Sequence, residues 1–445
     1  MRSYVKFRHR LILTLIYLLA GFSTVVTHAQ MLTPDDVVRQ VLEHNFSIRI
    51  VRLDEEILRN NVTIGNAGFL PRVDATAGTN NSIVNTRQEY LNGEKNERDN
   101  AKSGSLNAGA ALQWTLFDGL RMFNSLATLR KELEAGELRT RLQIENSVAD
   151  ALEAYYNMVQ LKQKKVVLEK AVKLGEERRG IAQDMLMLGA GSRLSLLQAE
   201  VDLNTDKSQL LELDNMIATA GIALNRSMGR EPATPVAVKD SILPGPVLDY
   251  QTLKTQMQRT NPTLLLSRTD LEIAQRNLDN ITGQRFPVLN FNLGYNFNDQ
   301  TSESGFLKAS RSSGLNYGFT ASLPLFDGFN LNRRRQNARI DIEQAGVAHQ
   351  NYLNALEAEL LSTYSKYTNR LSMVLFEKEN STTAGINFDI AGERLRLGEM
   401  SGIEYREAQK NYLLANERLI NAQFEVRLLE IRLQQLSGSL LATEQ

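Results

Sequence analysis

The sequence predicts an α+β membrane protein built from a tandem-repeated unit of one helix, one β-hairpin and two long coiled-coil helices. Three observations predict it. Four segments alternate strictly between apolar and polar residues, two stretches run for tens of residues without a helix breaker, and the second half repeats the first.

The composition sets the bounds. The chain has 445 residues, a length that suggests about three ordinary domains. With 23% charged and 42% hydrophobic residues it is neither disordered nor a multi-span helical membrane protein. Zero net charge excludes the basic surface of a nucleic-acid binder. No cysteine is present, so disulfides, thiolate metal sites, a cysteine nucleophile and a lipidated N-terminal cysteine are all excluded. Only 9 prolines leave room for very long helices.

Residues 1–29 read as a secretory signal. Arg2, Lys6, Arg8 and Arg10 precede an apolar run from Leu11 to Val26, and Ala29 ends a small-residue cleavage site. Its removal leaves 47 basic against 51 acidic residues, a mature net charge of −4, and only two histidines, His44 and His349. Two are too few for a histidine-based metal site. No later segment resembles a transmembrane helix, so the exported chain is either soluble or crosses a membrane as strands.

The repeat organises the rest. Leu32, Asn45, Asp54, Pro71 and Gly78 recur 216 residues later as Leu248, Asn261, Asp270, Pro287 and Gly294. Leu116-Phe117-Asp118-Gly119 returns at an offset of 209 as Leu325-Phe326-Asp327-Gly328. The same offset pairs Tyr155 with Tyr364, Leu188-Gly189 with Leu397-Gly398, Ser192 with Ser401 and Gly229 with Gly438. Residues 30–230 form the first repeat and 248–438 the second. Between them residues 231–247 hold four of the nine prolines and read as a linker, and 439–445 is a tail.

Strands are expected at about 72–83, 104–117, 287–298 and 314–326. Leu289, Phe291, Leu293, Tyr295 and Phe297 alternate with asparagines and Gly294, as if one face met lipid and the other water. The polar tips Ser82–Ser103 and Asp299–Ser313 read as long external loops.

Helical hairpins are expected at about 120–229 and 329–437, with a helix over Phe46–Gly68 before the first strand. The first helix of each hairpin is about 100 Å long at 1.5 Å per residue. Asp118 and Asp327 stand where the first free amides need a cap. Gly189 and Gly398 stand where a left-handed turn is needed, and Ser192 and Ser401 start the returning helices. The returning helices carry a heptad seam: Tyr405, Ala408, Tyr412, Ala415, Leu419, Ala422, Val426 and onward in the second, with Leu196, Ala199, Leu203, Asp206 and Leu210 at the matching places in the first.

Catalytic motifs are missing. Gly175 and Gly180 have phosphate-loop spacing but Ile181 follows, and Gly189-Ala190-Gly191 lacks the third glycine of a dinucleotide loop. Met185, Met187 and Met400 read as packing at a helical tip, and Glu176-Glu177-Arg178-Arg179 as a solvated face.

The signal, the duplicated unit, the Leu-Phe-Asp-Gly junctions and the Leu-Gly-x-x-Ser tips together resemble the TolC-like outer-membrane efflux family over residues 31–438. That resemblance implies a homotrimer in the outer membrane, a twelve-stranded barrel above a periplasmic helical tunnel, and no enzymatic activity or cofactor. It implies as partners a periplasmic adaptor protein and an inner-membrane pump. The tips Gly189, Ala190, Gly191, Ser192 and Leu194, with Gly398, Glu399, Met400, Ser401 and Ile403, are then the adaptor contacts. Family tips often carry an acid six residues after the glycine and an arginine four before it. Glu404 and Arg394 fit in the second hairpin; Ser195 and Met185 stand there in the first. The acid, tyrosine and arginine gate of the family archetype is not reproduced.

Elementary physics leads the same way. Four strands in lipid leave two open edges with roughly five unpaired polar groups each, costing tens of kcal/mol. Copies must close a ring, and twelve strands are the smallest multiple of four that leaves a water channel. Twelve helices at about 10 Å spacing enclose a lumen near 28 Å. A type I protein-secretion duct and an exported coiled-coil scaffold without a pore are the competing readings.

Overall fold

The computed structural model describes residues 31–239, 241–242, 245–304 and 307–441. The expected signal segment 1–29 and residues 442–445 lie outside them. In chain order the elements are β1 (Met31–Leu32), α1 (Pro34–His44), α2 (Phe46–Asn61), β2 (Arg72–Glu89), β3 (Lys95–Phe117), α3 (Arg121–Met187) and α4 (Arg193–Ser227). There follow β4 (Ala237–Val238), α5 (Tyr250–Thr260), α6 (Pro262–Gly283), β5 (Val288–Ser302), β6 (Ala309–Ser322), α7 (Asn330–Arg396) and α8 (Gly402–Ser437). No helix among the described residues is long and apolar enough to cross a membrane.

Two compact units share the long helices. The sheet unit comprises the described residues of Phe46–Ser147, Val247–Lys366 and Ile431–Gln445, and the tip unit those of Met1–Asn45, Val148–Pro246 and Tyr367–Glu430.

In the sheet unit, β2-β3-β5-β6 form one antiparallel sheet with β2 and β6 at its edges. The register aligns the apolar positions into rows: Val73, Leu112, Leu293 and Tyr317 in one, Trp114, Phe291 and Phe319 in the next. Tyr317 and Phe319 are exposed at 75% and 69%, so this apolar face is uncovered within one chain. The band runs from Leu289 to Phe297, roughly 21 Å for strands tilted about 40°. An ion pair between Arg311 and Asp299 at 2.7 Å closes it at one end. On the opposite face Asn296 donates to Asn316 at 3.1 Å, and a Cβ on Gly109 would stand 2.8 Å from the Asn296 Oδ1. Glycine there makes room for the asparagines.

The strands differ from expectation in extent. The segments expected at about 72–83 and 104–117 run on as a ribbon to Glu89 and from Lys95, so most of Ser82–Ser103 is strand and the turn is Tyr90–Glu94. Paired charges line that ribbon, Lys95 with Glu89 at 3.8 Å and Arg87 with Glu97 at 4.0 Å. A strand wetted on both faces has no apolar alternation to read. A bulge near Asn85, whose side chain accepts the Asn100 amide at 2.7 Å, interrupts it. Strands β5 and β6 likewise extend to Ser302 and from Ala309 into the expected Asp299–Ser313 loop. Strand β6 stops at Ser322 short of the expected 326, because Pro324 has no amide for the ladder. Helix α2 stops at Asn61, well before Gly68: Val62, Thr63 and Ile64 are poor helix formers, and Thr63 turns its amide back to the Asn61 carbonyl at 2.8 Å.

Residues that recur between the halves make the same contacts. In the tip unit Asn45 donates to the Ser227 carbonyl at 2.8 Å and Tyr155 to the Leu32 carbonyl at 3.2 Å. In the sheet unit Asn261 donates to Leu436 at 2.9 Å and Tyr364 to Leu248 at 3.3 Å. Gly229 and Gly438 sit at φ of 70° and 68°, where a Cβ would lie 2.3 Å from the His44 carbonyl oxygen and 2.7 Å from that of Thr260. Asp118 and Asp327 cap as expected in kind but from further out: their carboxylates accept the Met122 amide at 3.2 Å and the Leu331 amide at 2.7 Å, one residue into each helix.

Candidate functional site at the helical tips

Both helical hairpins turn through Leu-Gly, and backbone geometry explains the residues. Gly189 and Gly398 take φ of 73° and 72°, the left-handed conformation that closes a helix at little cost only for glycine. In the first turn the amides of Ala190 and Gly191 both donate to the Met185 carbonyl, at 2.9 and 2.8 Å. A Cβ on Gly191 would stand 2.9 Å from that of Met185, so the position is closed to larger residues. Ser192 caps α4 by accepting the Ser195 amide at 3.1 Å. In the second turn Glu399 donates to the Arg394 carbonyl at 2.9 Å. Ser401 accepts the Glu404 amide at 3.3 Å, and Glu404 accepts the Ser401 amide in return at 2.9 Å, a reciprocal capping box. The Ser401 amide first, and then the Ser401 hydroxyl, which donates to Glu404 at 2.8 Å, hold the Glu404 carboxyl below its ordinary range.

The two tips lie side by side in the tip unit and share an open groove of about 290 Å³. Met185, Ala190, Gly191 and Ser195 line it from the first tip, and Gly398, Met400, Ser401 and Ile403 from the second. Beside it Leu194 and Ile403 are exposed at 65% and 68%, and Leu188 and Leu397 more so. Gly189, Ser192 and Glu399 are exposed at the rim rather than lining the groove. Arg394 lies 3.9 Å from Glu399. Ser195, Arg394 and Glu404 thus each engage a partner within their own tip. The methionines divide: Met185 and Met400 line the groove, Met400 also packing against the Phe388 and Tyr405 cluster, and Met187 is exposed.

A charge cluster that reaches the groove wall at Arg178 escaped the sequence reading. Arg178, expected on a solvated face, is buried and pairs with Asp202 at 2.7 Å. Arg406 holds Asp206 through two bonds of 2.7 and 2.9 Å and reaches Asp202 at 3.6 Å. Gln409 completes it, donating to Asp206 at 3.3 Å and to the Ala171 carbonyl at 3.2 Å. The available signal was Asp206 itself, an acid in an apolar heptad seam. Next to it Phe388, Tyr405 and Tyr412 stack, and burial pushes the Tyr405 hydroxyl up to about 12. No group of acids and histidines able to hold a metal occurs among the described residues.

Repeated hairpins that fold into one open-edged sheet and two long helical hairpins match a known sequence profile, that of the outer membrane efflux proteins, over residues 37–230 and 253–439. The chain belongs to the outer membrane efflux protein family. As a member it is a subunit of an outer-membrane exit duct for efflux or secretion, in a family whose channels are homotrimers working with adaptor proteins and inner-membrane pumps. The outer membrane efflux protein BepC of Brucella suis is 20% identical over 90% of this chain and 84% of its own length. The proteases secretion protein PrtF of Dickeya chrysanthemi is 21% identical over 94% of this chain and 91% of its own. Protein CyaE of Bordetella pertussis is 24% identical, and this chain spans 58% of its length. The CmeC outer membrane channel of Campylobacter jejuni has the same fold, with a TM-score of 0.77 at 18% identity over 92% of this chain and 86% of that one.

Proposed function

We propose that three copies of the chain close a passive duct, with twelve strands in the outer membrane and the helical tips docking a periplasmic adaptor that connects an inner-membrane pump. The carrying observation is the sheet, which has one uncovered apolar face and two unpaired edges, β2 and β6. Lipid does not tolerate open edges, and three copies are the fewest that pair every edge and leave a water channel. Conduction calls for no catalysis, and the duct has no enzymatic task of its own.

The tips suit docking because exposed leucines and Ile403 flank a ready groove while the turns leave helix-end carbonyls open to a partner. Relatives named for efflux and for protease secretion match the chain at similar identity, so the docked pump sets the cargo. Gly189→Asp with Gly398→Asp tests the docking. Nothing lies within 4 Å of a Cβ at Gly189, and aspartate tolerates the left-handed turn better than most residues. The expected result is near-normal trimers, lost export and loss of adaptor cross-linking at the tips. Export with adaptor cross-linking retained overturns the docking site, and a lost trimer makes the glycines purely structural.

A further inference from the structure

Three arginines gather where the sheet meets the helices, without a carboxylate among them. Arg285 stands three residues before β5, and Arg335 and Arg339 lie one turn apart on α7, on the same side of the helix. Arg285 donates to the Asn332 side chain at 3.3 Å, which brings it to the first turn of α7. The Arg335 Nε is buried with no hydrogen-bond partner. Loss of water first, and then the charges of Arg285 and Arg339, hold the Arg335 guanidinium below its ordinary pKa. Asp327 does not relieve the crowding, since it accepts the Leu331 amide and lies 3.8 Å from Arg334.

The fold itself does not require two of these charges. By the repeat offsets, Phe69 and Leu126 occupy the matching places of Arg285 and Arg335 in the first half, while Arg130 matches Arg339. There Phe69 packs edge-on to Phe123 at 4.9 Å, and its carbonyl accepts the Trp114 indole at 2.8 Å. An aromatic contact thus stands in the first half where Arg285 stands in the second.

The level in the membrane points to the ligand. Phe286, Leu325, Phe326 and Phe329 are exposed at the same ends of the strands. Aromatic residues in that position mark the boundary between bilayer and water. Phospholipid phosphates lie at that boundary, and guanidinium forks match phosphate oxygens two at a time.

We propose that Arg285, Arg335 and Arg339 bind the phosphate of one acidic phospholipid per chain, taken from the inner leaflet of the outer membrane. This rests on the barrel spanning that membrane and is independent of the tips. The test uses the full-length protein in detergent, with native mass spectrometry of retained phosphatidylglycerol against phosphatidylcholine. The unchanged chain retains phosphatidylglycerol selectively, and Arg285→Gln/Arg335→Gln/Arg339→Gln lowers that retention by about a hundredfold. The triple lysine variant keeps most of it. Equal retention of the two lipids by the unchanged protein, or phosphatidylglycerol retained undiminished by the glutamine variant, overturns the proposal. Inorganic phosphate that protects the protein from heat as well as the lipid does, and displaces it, overturns the lipid assignment in favour of a free anion. The two-lipid comparison on the unchanged protein decides the matter even if the glutamine variant fails to assemble.

Discussion

The two halves of the chain use the same scaffold contacts and different charges. Each half clamps the end of its returning helix with an asparagine and a left-handed glycine, and each ties a tyrosine to a leucine carbonyl. They diverge where function or mutual fit is at stake. At one seam position the first half has Asp206 and the second Ala415. At the tips the second half caps with a titrating Glu404, and the first with Ser195. After duplication, contacts inside one half stay alike, whereas residues that meet the other half are free to become complementary. Arg406 of the second half filling the Asp206 defect of the first is such a case.

The largest break in that comparison comes from Asp206. Its side chain is 1% exposed, and Asp206→Ala leaves the largely buried Arg406 charge with only Asp202, at 3.6 Å, as counterion. A loss of about 3 kcal/mol is expected, read as a lower thermal midpoint of the assembled protein. Asp206→Ala with Arg406→Leu should recover much of it, because neither charge is then stranded. If the double variant is no better than the single one, the pair is not the source of the loss.

The clamps come next. Gly229→Ala and Gly438→Ala each place a Cβ against a carbonyl in a left-handed turn. Each should cost about 2 kcal/mol, the Gly229 variant more because its clash is closer. Denaturation of the two variants side by side checks the order, and equal midpoints to the unchanged protein would show that the turns relax.

The smallest effect separates the two tips by pH. The Glu404 carboxyl is held below the ordinary 4.5, so its capping contribution is whole above that value and is lost as pH falls through the lowered one. Amide exchange at Ser401–Glu404, corrected for its intrinsic pH dependence, should rise at acid pH while that at Ser192–Ser195 stays level. Glu404→Gln should abolish the difference between the tips. Parallel behaviour of both tips would exclude the carboxyl as the cause.

Much of the architecture was readable from local pattern. Leu289 to Phe297 alternate because one face must be apolar and the other polar, whatever packs nearby. The helical hairpins follow from uninterrupted heptads and the Leu-Gly turns, and the tip residues from the left-handed conformation that those turns impose. The ribbon beyond Ser82 was not readable, since strands wetted on both faces show no period. The groove was not readable either: Met185 and Ile403 are 218 residues apart, and only packing brings them together.

By itself the sequence determined the repeat, the strand faces, the helix lengths and the glycine turns, because each depends on neighbours a few residues away or on a register that recurs. Only the tertiary structure decided which charges are buried and with whom. Arg178 sits in a run of charges that reads as solvated, and Asp202 gives no local hint of it. An acid's partner is chosen by where two distant helices cross, and a buried charge is stable only beside its counterion. The arginines at the foot of the sheet show the same rule from the other side: their spacing was visible in the chain, but the absence of any carboxylate among them was a fact of the fold.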